Sequence, residues 1–239
     1  MVITDHTTKA FDVDLQELTR MVAEMGGLAE KQVADAVDAL ARRDTDRAQR
    51  TVAADPDIDA LQAEIEEKAV LTIARRQPMA IDLRDVVGAL RVANDLERIG
   101  DLAKNIAKRV AALDDDFHPQ KLIRGVEHMS TLVLSQIKRV LDAYAGRDLQ
   151  TALAVWKGDE EIDSMCTSLF RELLTYMMED PRNITFCIHL MFCAKNIERI
   201  GDHATNIAKT VFYMIEGQQI LDKRPKGDMT TFATTVPNN

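Results

Sequence analysis

The stretch NDLERIGDLAKNIAK at residues 94–108 returns further along the chain as KNIERIGDHATNIAK at residues 195–209. Across 93–108 and its counterpart, 11 of 16 residues are identical. Each copy sets a glycine inside a helical pattern, flanked by an acidic pair spaced i, i+4: Glu97 and Asp101 around Gly100, Glu198 and Asp202 around Gly201. An interior helix glycine costs about 1 kcal/mol relative to alanine. Two of them in the same acidic phrase point to something in the fold that offsets the cost.

Working outward from the phrase, the whole chain reads as a duplication. Leu18, Val22, Met25, Ala29, Val33, Ala36 and Leu40 follow one another in steps of four and three, the signature of an amphipathic helix. Leu122, Val126, Met129, Val133, Ile137, Val140 and Tyr144 repeat that spacing. RRD at 42–44 pairs with GRD at 146–148, DID at 57–59 with EID at 161–163, and Pro78 with Pro181. Sustained period-2 alternation and Asn-Gly hairpin turns are both missing from the sequence. The fold class is therefore all-α, two tandem three-helix bundles related by internal duplication. Helices are expected at 8–42, 45–76 and 80–111, then at 120–145, 148–179 and 182–216. The charged, proline-bearing LDDDFHPQ at 113–120 marks the boundary. The first repeat is assigned to 1–112, a linker to 113–119 and the second repeat to 120–217; residues 218–239, polar and without period, read as a disordered tail.

Composition narrows the function classes. A net charge of −9 argues against general nucleic-acid binding, and 5% aromatic residues leave little for base stacking. The longest apolar run, ITFCIHLMFCA at 184–194, contains a histidine and falls well short of the roughly 20 residues of a membrane span. No direct membrane insertion is expected. Cys166, Cys187 and Cys193 form no C-x-x-C pair and suit reduced thiols in a cytoplasm. The N-terminal MVITDHTTKAFDVD carries acids where a secretion signal needs a basic and an apolar region.

In an antiparallel hairpin turning at Pro78, positions equally far from the turn face each other. Glu97 and Asp101 then lie opposite Asp55 and Asp59, and the turn at Pro181 sets Glu198 and Asp202 opposite Asp159 and Asp163. Each bundle should gather four carboxylates at one level. Such a cluster repels itself unless solvent or a cation neutralises it, and oxygen ligands suit hard cations such as Mg²⁺, Mn²⁺, Ca²⁺ or iron. Gly100 would leave room for a cluster or a neighbouring backbone. The other reading is plainer. The acids lie on a solvated face opposite the apolar stripe Leu96, Ile99, Ala103 and Ile106, held by Arg98, Lys104 and Lys108. On that reading Asp55 and Asp159 are N-caps and the glycines merely permit tight packing.

Other chemistry is thinner. No Glu-x-x-His occurs, so a di-metal oxidase site of the bundle type is not indicated. His203, beside Asp202, is at best an auxiliary ligand, since its first-repeat counterpart is Leu102; His189 and Cys193 read as core. No P-loop or nucleophile elbow is present. Catalysis has no named residue, and no enzyme activity is expected.

The phrases DLERIGDLAKNIAK and NIERIGDHATNIAK, together with QPMAIDLRDVVGALRVANDLERIGD at 77–101, resemble the PhoU family over residues 8 to 216. The resemblance implies metal ions, iron or zinc clusters among them, on the acidic motifs: Asp55, Asp59, Glu97 and Asp101 in the first repeat, Asp159, Asp163, Glu198 and Asp202 in the second. The identity of the ion, among Mg, Mn, Fe or Zn, is open. It further implies a cytoplasmic negative regulator of phosphate uptake and of the phosphate-starvation response. Its partners would be the ATP-binding subunit of the phosphate ABC transporter and a phosphate sensor histidine kinase. Two alternatives stay beside this: an acidic docking adaptor that needs no metal, and a metal-dependent hydrolase. An apolar stripe left over on such small bundles also leads us to expect a homodimer. The repeats diverge where DLR at 82–84 becomes NIT at 183–185 and Asn94 becomes Lys195, so the second site has a different surrounding shell.

Overall fold

A computed structural model of the chain describes residues 3–113 and 120–220. Most of the expected linker and tail, 114–119 and 221–239, lies outside the described residues. Among those described there are eight α-helices and no strand. The first repeat contains α1 (Ile3–Arg42), α2 (Thr45–Ala53), α3 (Asp55–Arg76) and α4 (Ile81–Val110). The second contains α5 (Gln120–Gly146), α6 (Leu149–Lys157), α7 (Glu160–Glu179) and α8 (Ile184–Glu216), with a 3-10 turn at Pro181–Asn183 before α8.

The middle helix of each bundle, expected as one rod over 45–76 and 148–179, is broken at the same place in both repeats. The break falls at Ala54 in the first and at Gly158–Asp159 in the second. Pro56 explains the first interruption: it carries no N–H and its ring crowds the preceding turn, so it is favoured at the start of a helix rather than inside one. Gly158 ends α6 with its N–H bonded to the carbonyls of Ala154 and Val155.

The long first helices end alike. Arg43 and Arg147 take positive φ, at 56° and 51°, and the amides of Asp44 and Asp148 bond back to the carbonyls of Ala39 and Ala143 at 3.0 and 2.9 Å. This is the Schellman arrangement, made here without glycine. The same two aspartates then cap the next helices: Asp44 accepts from the Arg47 amide, and Asp148 from those of Gln150 and Thr151. The duplicated R-D phrase is thus a helix-stop and helix-start signal.

The bundles are not beads on a string. α4 packs on α1 and α8, α8 packs on α4 and α5, and α1 packs on α5. The pairing of α4 with α8 is antiparallel, since Gly88 abuts Met214, Asp95 meets His203 and Arg109 stacks on Phe192 at 4.1 Å. A single hydrophobic core runs through both repeats. Leu96, Ile99, Ala103 and Ile106 lie in it with Ile197, Ile200, Ala204 and Ile207, all fully buried. No helix among the described residues is long and apolar enough to cross a membrane.

Candidate functional site

The two helical hairpins bring the predicted acids to one level. Asp55 opens α3 and is buried; its carboxylate accepts from Gln32 Nε2 of α1 at 3.3 Å, and the same amide nitrogen also reaches the Thr51 carbonyl. From α4, Lys104 donates to Asp55 Oδ2 and to Asp101 Oδ1, both at 2.5 Å. Arg98 pairs with Glu97 at 3.1 Å and with Asp101 at 3.4 Å. Burial holds the Glu97 carboxyl above the ordinary range; Arg98 opposes this, while the charges of Asp101, Asp59 and Asp55 add to it. Glu97 therefore senses all three of its expected companions, although Asp59 itself is exposed to solvent. Lys104 is held far above its ordinary pKa by its bonds to Asp101 and Asp55.

The second layer is drier. Asp159 and Asp163 are each 1% exposed and Glu198 is 5% exposed. Lys195 Nζ donates to Glu198 Oε1 at 3.0 Å, whereas Glu198 Oε2 is buried with no hydrogen-bond partner. Burial again raises the glutamate pKa, with Lys195 opposing and Asp202 and Asp163 reinforcing. Where the first repeat has Lys104, the second has Thr205, whose hydroxyl turns back to the Asp202 carbonyl at 2.8 Å.

The two glycines make these layers sterically feasible. A Cβ on Gly100 would lie 2.9 Å from Gln32 Oε1 and 2.9 Å from Ile58 Cδ1. One on Gly201 would lie 2.7 Å from Asp159 Oδ1 and 3.6 Å from Gln136 Oε1. The glycine in each acidic phrase clears space for the first turn of the facing helix and the oxygens it carries. The N-cap reading of the two aspartates holds in position for Asp159 alone. Ala54, not Asp55, occupies the cap position of α3, and Asp159 sits at the cap of α7 without a side-chain capping bond. Both carboxylates point to the layers instead of to helix ends.

Several side chains fall elsewhere than expected. His203 Nδ1 lies 2.8 Å from Asp95 Oδ1 of α4, so it joins the two repeats rather than the acidic layer. Cys193 is core, its thiol pushed up to about 12 by burial, but His189 is only half-buried and stands against Arg109. Gln32 and Gln136 were missed, although they occupy matching places beside Val33 and Ile137 in the duplicated stripe. Among the described residues, no group of three or more His, Cys, Asp or Glu side chains is drawn together as a ready metal centre. In the first layer the Lys104 ammonium stands between two of the carboxylates.

An all-helical molecule built of two repeats, each with a recessed acidic layer behind a helix glycine, defines a narrow class. The family model described as the PhoU domain matches residues 22–110 and 126–211, and the chain belongs to the PhoU family. A phosphate-specific transport system accessory protein PhoU homolog of Rhizobium meliloti (strain 1021) is 58% identical over 231 residues, covering 97% of this chain and 98% of its own length. A homolog from Caulobacter vibrioides (strain NA1000 / CB15N) is 52% identical over 227 residues, covering 95% and 99%. The crystal structure of PhoU from Pseudomonas aeruginosa superposes with a TM-score of 0.82 at 38% identity, covering 87% of this chain and all of that one.

Proposed function

We propose that this chain is a cytoplasmic negative regulator of phosphate uptake and of the phosphate-starvation response. It acts as an adaptor between the ATP-binding subunit of the phosphate ABC transporter and a phosphate sensor histidine kinase. The observation that carries this reading is end-to-end similarity to proteins named as phosphate-specific transport system accessory proteins, together with the two acidic layers. No catalytic role is assigned. Asp55, Glu97, Asp101 and Glu198 are in ion pairs, Asp159 and Asp163 are buried, and neither layer holds a histidine that could serve both.

Metal ions form part of the proposal. Asp159, Asp163, Glu198 and Asp202 would hold one in the second repeat, and Asp55, Asp59, Glu97 and Asp101 in the first. The buried, unbonded Oε2 of Glu198 and the cradle left by Gly201 support the fit. A hard cation there would be held by carboxylate oxygens from both helices and would tie α7 to α8. The metal-free docking reading draws support from Lys104 and Arg98, which already neutralise much of the first layer. Self-association, if it accompanies the role, would use the exposed Ile184, Ile188 and Phe192 on one face of α8.

The test is a deletion strain complemented with the full chain. Recovery of repression of phosphate-starvation genes in rich phosphate, with the transporter ATPase or the sensor kinase captured on the tagged chain, supports the adaptor. Full repression with capture of neither partner would sink it.

A further inference from the structure

A cleft of about 520 Å³ opens between α4 and α8, where the two repeats meet. α4 lines it with Arg91 and Asn94, and α8 with Asn206, Lys209 and Tyr213. Arg91 stacks its guanidinium over the Tyr213 ring, 4.8 Å from the centroid. Stacking uses the face of a guanidinium and leaves its N–H groups for other acceptors. Lys209 Nζ donates to Asn206 Oδ1 at 3.1 Å, which leaves the Asn206 amide N–H groups as further donors. Neither cation meets a carboxylate among the described residues, in a chain whose net charge is −9. The acid that lines the cleft, Asp95, is already engaged: its Oδ1 lies 2.8 Å from His203 Nδ1.

The duplication does not repeat this chemistry. At a shift of 101 residues Arg91 is matched by Phe192, Tyr213 by Ala112 and Asn94 by Lys195. We infer that the cleft between α4 and α8 binds a phosphoryl group, carried by inorganic phosphate or by a phosphomonoester, at one site per chain. Two cations, one from each repeat, call for a small group that bears two negative charges. A phosphoryl group carries about −1.5 to −2 at neutral pH, whereas a single carboxylate carries half as much. The guanidinium offers paired N–H donors to two of its oxygens and the ammonium a point charge to a third, with the Asn94 and Asn206 amides beside them. Held from both sides, the ligand joins α4 of one repeat to α8 of the other. This inference stands apart from the metal and partner readings above.

The experiment is calorimetry on the full chain in phosphate-free buffer at low salt, with inorganic phosphate, adenosine monophosphate and succinate as probes. Phosphate or the nucleotide should bind once per chain, and added salt should weaken the binding. Arg91→Gln and Lys209→Gln should each weaken it roughly tenfold or more, whereas Lys108→Gln, at the position matching Lys209, should leave it unchanged. Lys209 bonds only within its own helix, so Lys209→Gln removes the charge and keeps the packing, which an unchanged melting temperature verifies. Tighter binding of the nucleotide assigns the cleft to phosphomonoesters; equal or tighter binding of phosphate assigns it to the free ion. The inference is overturned if neither binds at millimolar concentration, or if succinate binds as tightly as the better of the two. Binding that persists undiminished in both Arg91→Gln and Lys209→Gln overturns it as well.

Discussion

The Cβ that Gly201 lacks would fall 2.7 Å from Oδ1 of Asp159, on the helix across the hairpin. That one relationship explains why a costly residue sits in the middle of α8: the space belongs to a carboxylate of another element.

Gly201→Ala should therefore destabilise the protein by about 1–3 kcal/mol despite the gain in helix propensity, because Asp159 must move and its layer with it. Gly27 in α1 is the control, since a Cβ there meets nothing within 4 Å. Gly27→Ala should stabilise by about 0.5–1 kcal/mol. Urea midpoints of the two variants shifting the same way would contradict this account.

A core shared across α4 and α8 predicts that both repeats unfold together. The lone tryptophan, Trp156, is buried in α6 of the second repeat, while Leu96 lies in α4 of the first. Leu96→Ala should cost about 2–5 kcal/mol and shift the Trp156 fluorescence transition as far as the helical circular-dichroism transition. A Trp156 transition that stays put would show that the repeats unfold independently.

Asp14 of α1 is bonded to Lys68 at 2.9 Å and to Arg76 at 3.1 Å, both on α3. The bond from Lys68 above all, then that from Arg76, holds its carboxyl below the ordinary value. A depressed folded pKa means the contribution is complete above the unfolded value, near 3.9, and is lost as pH falls through the folded one. Asp14→Asn should cost up to about 1 kcal/mol at neutral pH and flatten the acid limb of stability below about pH 4. Unchanged acid limbs in parent and variant would assign that loss to other carboxylates.

Cys166, Cys187 and Cys193 are all buried, and burial raises the thiol pKa of Cys187 and, more strongly, of Cys193. The native protein should react with a thiol reagent only as fast as it opens, and fully in denaturant. Immediate reaction of the native state would contradict the burial.

Much of the architecture was legible because its causes are local. The four-three spacing of Leu18 through Leu40 and its copy from Leu122 identify helices whatever they pack on. Pro78 and Pro181 placed the hairpins, and the hairpins brought Asp55 and Asp159 to the levels of Gly100 and Gly201. The breaks at Ala54 and Gly158 were missed, although Pro56 and Gly158 were both in view. A long run of helical periodicity outweighed them in a reading by pattern. Asp55 and Asp159 looked equally suited to capping, and only the positions of the caps themselves settled where their carboxylates go.

The sequence by itself determined that the chain is a duplicated set of helices carrying an acidic phrase with a glycine in each copy. Repetition, periodicity and turn residues act over a few neighbours and can be read one segment at a time. Only the tertiary structure decided that α4 and α8 join both halves in one core, that Gln32 and Gln136 back the acidic layers, and that Lys104 reaches across to Asp55 while Thr205 folds back on its own helix. Those outcomes depend on the depth and register at which helices distant in sequence meet. A long side chain such as lysine has several partners within its reach, and packing selects among them.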